Sequence, residues 1–453
     1  MRNMMRKRSM RRRWVLVGVP VMLAGALLLQ PLTPAAKTAG FTDIRGHWAE
    51  KTILDSMDKG VVDGFPDGTF RPDDVVTGDQ FVAMMFRAHA EWYTTPEGER
   101  KRRWDEKWME ELSKYQPGFW MDIRRTTREQ KFEFEPAKTG YWAKPFLDML
   151  YDVPFLVDKA GIFPNWNDPK RADPQVWGQP LTREKASYLL AEWFVPRDED
   201  YINPGYREYV LAHSGLTDLN DFSPQIGMYK GEVLIWGLMR GWDNRFWPKR
   251  YVTRAEALTM ALRLRYPELR EPFRPIPVGV PYAICDGSIY VYDSWEKLEW
   301  AKSMAEALKN LAQQHVKTGY VSSGCGGIAI LNSEEEDKQN DFYTRLAKWD
   351  MIKYPELAVG VSGPDSPRII TLQYTKDRRF VHSQMLFDAV LDFLSGGKGP
   401  ELKAKLDALE RQYDVDVQKG HSFVTNRLYG KEVELSKEAG LVIAKFWYDP
   451  MPR

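Results

Sequence analysis

One order of turn and cap residues recurs along the first 265 residues, and this recurrence restricts the fold more than any other feature of the chain. The first copy, Phe41–Ala88, reads Phe-Thr-Asp-Ile-Arg-Gly-His-Trp-Ala-Glu, an amphipathic stretch, Gly-Phe-Pro-Asp-Gly-Thr-Phe-Arg-Pro, then Thr77-Gly-Asp-Gln and a second apolar helix. A later copy opens with Leu216-Thr-Asp-Leu, turns at Gly241-Trp-Asp-Asn-Arg-Phe-Trp-Pro and closes with a helix from Val252-Thr-Arg-Ala-Glu. The middle copy is stretched by insertions but keeps Met121-Asp-Ile, Gly140-Tyr-Trp-Ala-Lys, Gly161-Ile-Phe-Pro-Asn and Leu181-Thr-Arg-Glu-Lys in the same order. A supersecondary unit of this size rarely buries its apolar face alone, so the copies are expected to pack on one another.

The local chemistry of each copy is consistent. Trp48, Ala49, Thr52, Ile53 and Met57 recur at helical spacing, and Gly60 ends that run where a left-handed residue is cheap. Gly64 and its fellow turn glycines are expected to supply positive φ, with Asn165 and Gly241 at the corresponding turns. Thr77 with Gln80, and Thr253 with Glu256, read as capping boxes, whereas Thr182 keeps the cap and Lys185 leaves its box incomplete. Apolar stripes follow each cap, at Phe81, Met84, Met85 and Ala88, at Ala186, Leu189, Leu190 and Trp193, and at Ala257, Met260, Ala261 and Leu264. These three helices are expected to line a shared axis. Their starts should offer unpaired N–H groups and positive dipole ends to a carboxylate or phosphate, and Arg183 and Arg254 stand one residue inside, where a guanidinium can bind a carboxylate in two places. The competing reading of these arginines is a surface ion pair with a nearby glutamate.

At these residues the chain resembles the S-layer homology (SLH) module over about Phe41–Arg265. The resemblance implies a mainly α, pseudo-threefold helical bundle that grips an anionic secondary cell-wall polysaccharide, often pyruvylated and linked to peptidoglycan. It also implies a sugar groove beside Trp48 and Trp142, with Gln225 or Ile226 at that position of the third copy. The glycan-binding candidates are Arg183, Arg254, Thr182, Thr253, Trp48, Trp142, Asp43, Asp218, Gly64 and Gly241. Core packing is the alternative for the tryptophans, and turn or helix capping for Asp43, Asp122 and Asp218. Gly78 replaces the arginine in the first copy, so that groove is either idle or borrows Arg71 or Arg87.

The remaining segments set the boundaries. Residues 1–36 have a basic start, an apolar run from Trp14 to Leu29 and a small-residue stretch, the layout of a secretory signal; the apolar run is shorter than the roughly 20 residues of a bilayer span. The three copies fall at 41–90, 119–196 and 214–266, with an inserted helical segment at 91–118 whose helix is expected to present Trp104, Trp108, Met109 and Leu112 on one face. Phe163–Gln179 reads as a long surface loop, and 267–281 as a proline-stiffened linker. Residues 282–453 are expected to form an α+β domain, with strands at Ser288–Tyr292, Gly327–Leu331, Arg368–Tyr374 and Gly440–Trp447 and helices at Trp295–His315, Ser383–Leu394 and Glu401–Tyr413. The two cysteines, Cys285 and Cys325, are a candidate disulfide, and no metal or cofactor is expected.

Lys and Arg total 64 against 63 Asp and Glu, which removes the electrostatic footprint of a nucleic-acid binder. The leading expectation is a secreted surface protein anchored by its repeats, meeting other surface-layer proteins through the second domain and membrane only through its signal segment. The alternative is a tethered surface hydrolase. No catalytic residue is assigned, because Ser322, Ser323, Cys325, His382 and His421 occur in no spacing that forces them together.

Overall fold

The computed structural model describes residues 41–115, 117–130, 132, 134–152, 162–164, 167–193, 202–227, 229–285, 287–324, 326–345, 353–377, 380–438 and 440–451. The signal segment, Gly161, Asn165 and Cys325 lie outside the described residues. In the first half the elements are α1 (Glu50–Lys59), α2 (Gly78–Ala88), β1 (Ala90–Thr94), β2 (Arg100–Trp104), α3 (Glu106–Tyr115), α4 (Pro117–Gln130), α5 (Lys144–Asp152), α6 (Pro174–Trp177), α7 (Arg183–Trp193), α8 (Pro204–His213), α9 (Tyr229–Ile235) and α10 (Arg254–Arg265). Helix α1 ends where Gly60 takes φ 76°, and its N–H closes on the Met57 and Ser56 carbonyls. Thr77 and Thr253 make the capping boxes that start α2 and α10. Thr182 accepts from the Lys185 N–H at the start of α7. One continuous core runs through these elements, with Phe81, Met85, Leu189, Leu190, Ala257 and Ala261 buried on the three closing helices.

The second half begins with β3 (Tyr282–Cys285) and β4 (Ser288–Val291), then α11 (Trp295–His315), β5 (Tyr320–Gly324), β6 (Gly327–Leu331), α12 (Glu334–Arg345), β7 (Leu357–Val361), β8 (Ile369–Thr375), α13 (Gln384–Ser395), α14 (Gly399–Asp416), β9 (Val424–Leu428), β10 (Lys431–Glu438) and β11 (Leu441–Trp447). Seven strands form one sheet in the order β5-β6-β7-β8-β11-β10-β9, antiparallel at each pairing. Alternate residues such as Leu357, Val359, Leu372, Tyr374, Ala444 and Phe446 share one core with buried residues of α11, α13 and α14. The molecule is therefore multidomain, with a helical first part and a sheet-rich second part.

Several expectations are corrected. Met121-Asp-Ile lies inside α4 and is not an opening turn. The 91–118 insertion is not wholly helical: β1 and β2 form a hairpin in which Ala90 pairs with Trp104, so Trp104 is a strand residue. Its side chain, with Trp108 and Leu112 of α3, is still buried in the bundle core. Phe163–Gln179 is not all surface loop, since Trp177 is fully buried.

The proline-rich 267–281 stretch is not a free linker. Glu271 N–H donates to Gly237 O at 3.2 Å, Phe273 N–H donates to Leu234 O at 3.0 Å, and Val278 N–H donates to the Tyr209 hydroxyl at 3.0 Å, which straps the segment along the bundle. The β3–β4 hairpin belongs to the same body, because Ile289 and Val291 pack against the bundle core and Val291 N–H donates to Asn203 Oδ1. The Asn203 amide also donates to Asp365 of the β7–β8 loop at 2.8 Å, joining the bundle to the sheet. Cys285 is disulfide-bonded, and Cys325 is the only other cysteine in the chain.

Candidate functional site: three seams around a hydrogen-bonded ring

The short extended segments before α2, α7 and α10 meet at one place. Val76 N–H donates to Val252 O at 3.0 Å, Val252 N–H to Leu181 O at 2.9 Å, and Leu181 N–H to Val76 O at 2.9 Å. The three bonds close a ring, and each closing helix starts against the turn of a neighbouring copy. That placement creates three seams.

At two seams an arginine spans the join. Arg254 is 9% exposed; its Nε donates to Phe70 O at 2.9 Å and its guanidinium lies 4.9 Å from the Phe65 ring and 4.8 Å from the Phe70 ring. Arg183 is 3% exposed; its Nε donates to Phe246 O and a terminal nitrogen to Arg240 O, over the rings of Trp242 (4.6 Å) and Phe246 (5.0 Å). Burial pulls both guanidiniums down to about 10. The helix starts are not open either. Arg183 and Glu184 N–H donate to Arg250 O and Pro248 O, and Arg254 and Ala255 N–H donate to Asp74 O and Pro72 O. The expectation of unpaired N–H groups beneath exposed forks is thus corrected, because the neighbouring copy supplies the acceptors. Each arginine braces one copy on the next turn.

The third seam, where Gly78 stands, uses a different filler. Trp177 stacks on Phe163 at 4.4 Å and 7°, the position that a guanidinium holds over Phe65 or Trp242 elsewhere. A Cβ on Gly78 would come within 3.1 Å of the Trp177 carbonyl and 3.2 Å of its ring, so a longer side chain there requires Trp177 to shift. Neither arginine suggested as a substitute fills the gap. Arg71 pairs with Asp67 over the Phe65 ring, and Arg87 faces Asp63 and Phe146.

Asp43 and Asp218 act as turn clamps. Asp43 accepts from the N–H groups of Phe70 (2.8 Å) and Arg71 (2.6 Å), and Asp218 from those of Phe246 (2.6 Å) and Trp247 (2.8 Å). The second residue of each pair has positive φ, 58° at Arg71 and 60° at Trp247, so the carboxylate holds a backbone that a side chain disfavours. Gly64 and Gly241 are corrected in turn: neither has positive φ, and each is needed for close approach, since a Cβ would overlap Phe41 at Gly64 and Leu216 at Gly241.

The candidate tryptophans separate. Trp48 is 64% exposed, whereas Trp142 is half-buried against the core with Phe146 beside it. Trp242, which sequence reasoning did not single out, is 43% exposed at its seam, and Tyr251, whose backbone bridges to Thr182, is 49% exposed. A signal was present in the order of motifs, because Trp242 occupies the place of Phe65. In the second domain His382 Nδ1 lies 2.7 Å from Thr318 Oγ1, and Ser383 donates to Glu356. Among the described residues no hydrogen bond joins His382 or His421 to Ser322 or Ser323, no group of acids, histidines and cysteines could hold a metal, and no helix is long and apolar enough to cross a membrane.

Comparison with known proteins finds similarity over short stretches of the chain. The chain is 39% identical over 67 residues to the outer membrane protein SlpA of Thermus thermophilus, covering 15% of this chain and 7% of the relative. It is 44% identical over 46 residues to a cellulosome-anchoring protein of Acetivibrio thermocellus (10% of each) and 40% identical over 48 residues to cell surface glycoprotein 1 of the same organism (11% of this chain and 2% of the relative). The chain thus spans at most a tenth of the length of these relatives. Residues 40–82, which hold α1, the first turn and the start of α2, match the S-layer homology domain.

Proposed function

We infer that residues 41–265 are three S-layer homology copies packed as a pseudo-threefold helical bundle, and that this bundle anchors the chain at the cell surface by holding an anionic secondary polysaccharide of the cell wall. The carrying observation is the closed ring of Val76, Leu181 and Val252, which relates the stretch matching the family to two others with the same motif order. The names of the relatives, an anchoring protein among them, support the surface role. A pyruvylated sugar is the ligand class proposed, with the signal segment exporting the chain and the sheet domain facing outward as a module for interaction or assembly. Thr182 and Thr253 belong to this reading as caps that fix the helix starts at the seams.

The test is fractionation of cells that make the full-length chain. The protein is expected in the wall fraction and to leave it when the secondary polymer is chemically removed from the sacculi. A chain recovered wholly with membranes, or one still bound to stripped sacculi, would overturn the reading.

A further inference from the structure

Two units of one build follow each other at the start of the second half. Each opens with a tyrosine, Tyr282 or Tyr320, runs through an antiparallel hairpin and ends on a serine that caps a helix. Strand β4 starts six residues before Ser294, and β6 six residues before Ser333. Ser294 Oγ accepts from Lys297 N–H and Ser333 Oγ from Glu336 N–H, each at 3.2 Å, at the starts of α11 and α12. The two cysteines fall at the two hairpin tips: Cys285 pairs with Ser288 at the end of β3, and Cys325 follows Gly324, which pairs with Gly327 at the end of β5.

The two hairpins belong to different bodies. β5 and β6 end the seven-stranded sheet, whereas β3 and β4 form a sheet of their own that rests on the bundle through Ile289 and Val291. The base of that hairpin is fixed there, since Tyr292 N–H donates to Pro281 O and Val291 N–H to Asn203 Oδ1, each at 2.9 Å. Across the joint to the sheet domain run the Asn203–Asp365 hydrogen bond and a contact of α4 with α12. Water can replace either partner of such a bond at small net cost, and parts of one chain joined in this way move relative to each other by default. No cysteine is free, so the bond of Cys285 is to Cys325, and it ties the hairpin tip on the bundle to the hairpin tip in the sheet.

We propose that this disulfide is a redox-operated clasp on the joint. Oxidised, it makes the bundle and the sheet domain one body; reduced, it lets the sheet domain swing about residues 292–294 while both parts stay folded. The opening step consumes one dithiol: its thiolate attacks one sulfur, the S–S bond breaks, two electrons and two protons pass to the cysteines as two thiols, and the dithiol leaves as its own disulfide. The clasp therefore closes in an oxidising compartment and opens in a reducing one. This inference does not depend on the anchoring reading.

The experiment compares the folded full-length chain before and after dithiothreitol, with the released thiols alkylated. Reduction is expected to raise the radius of gyration in small-angle X-ray scattering by about a tenth or more and to speed amide exchange in α4 and α12 about tenfold, with α2, α10, β8 and β11 within about twofold. Cys285→Ser should reproduce both changes without reductant. Asp365→Ala, which removes the hydrogen bond and leaves the disulfide, should keep the radius of the oxidised chain; expansion of that oxidised variant would show that the hydrogen bond, not the disulfide, holds the joint. An unchanged radius after complete reduction would overturn the proposal. So would general acceleration through α2, α10, β8 and β11, which would make the bond a stabiliser of the whole fold, or a non-reduced peptide map that joins Cys285 to a second chain.

Discussion

His89 shows how one residue ties the insertion to the bundle. It follows α2, its Nδ1 meets Met85 O at 2.8 Å, and its ring lies 4.6 Å from the Trp108 ring. Burial, opposed by the Met85 bond and modified by Arg265 and Asp105, pushes its pKa down from 6.5 to about 3, so the native imidazole is neutral. An unfolded chain takes up that proton at a higher pH. The stability the neutral ring contributes is therefore complete above pH 6.5 and is lost as the pH falls toward 3, by up to about 5 kcal/mol at 1.36 kcal/mol per unit. Denaturant unfolding between these limits is expected to show the loss in the native chain, and His89→Gln should flatten that part of the profile. An unchanged slope in the variant would assign the acid sensitivity elsewhere. The arginines carry a different lesson at this scale. Their charge and cap positions were legible in sequence, but which groups they meet was not, because Phe70 O, Phe246 O and Arg240 O are separated from them by 57 to 184 residues.

At the scale of elements, α6 is four residues long yet closes a seam. Its N-cap Asp173 accepts from Gln175 N–H, Pro174 occupies the first helical position, and the short helix brings Trp177 onto Phe163. A segment rich in Pro, Asn and Asp reads as loop because those residues favour turns, and a single buried indole does not alter that pattern. Trp177→Ala is expected to destabilise the chain by about 3–5 kcal/mol through the cavity it leaves. Gly78→Arg, which restores the residue of the sibling copies, is expected to cost about 1–3 kcal/mol by overpacking against Trp177. Urea unfolding measures both, and a stabilised Gly78→Arg would show that the seam can admit a guanidinium after all. The long helices were legible for the opposite reason: α11 begins at the Ser294 cap and holds Leu298, Ala301, Leu308 and Ala312 on one buried face. Strand β10 was missed because Lys-Glu-Val-Glu-Leu-Ser-Lys-Glu buries only alternate positions of a charged run.

For the whole molecule, the strap at 267–281 sets how the two parts are joined. Prolines suit an exposed extended linker, yet here the free N–H groups of Glu271, Phe273 and Val278 find acceptors on the bundle. Limited proteolysis of the native chain is expected to spare this stretch, although it contains Arg270 as a tryptic site; Arg274 precedes Pro275 and is not one. Both are occupied: Arg270 Nε donates to Arg263 O, and Arg274 Nε donates to Ile235 O. Early tryptic cleavage there, separating an intact bundle from an intact sheet domain, would mean that the strap does not hold in solution.

By itself the sequence determined the capping boxes at Thr77 and Thr253, the apolar stripes of the three closing helices and the mixed character of the second half, because each is written in neighbouring residues through helical period and local hydrogen bonding. Only the tertiary structure decided which seam is filled by Trp177, which is braced by arginine, and which keeps an aromatic face in solvent. Those outcomes depend on which side chains from distant copies compete for one volume and one set of carbonyls, and spacing along the chain does not encode that competition.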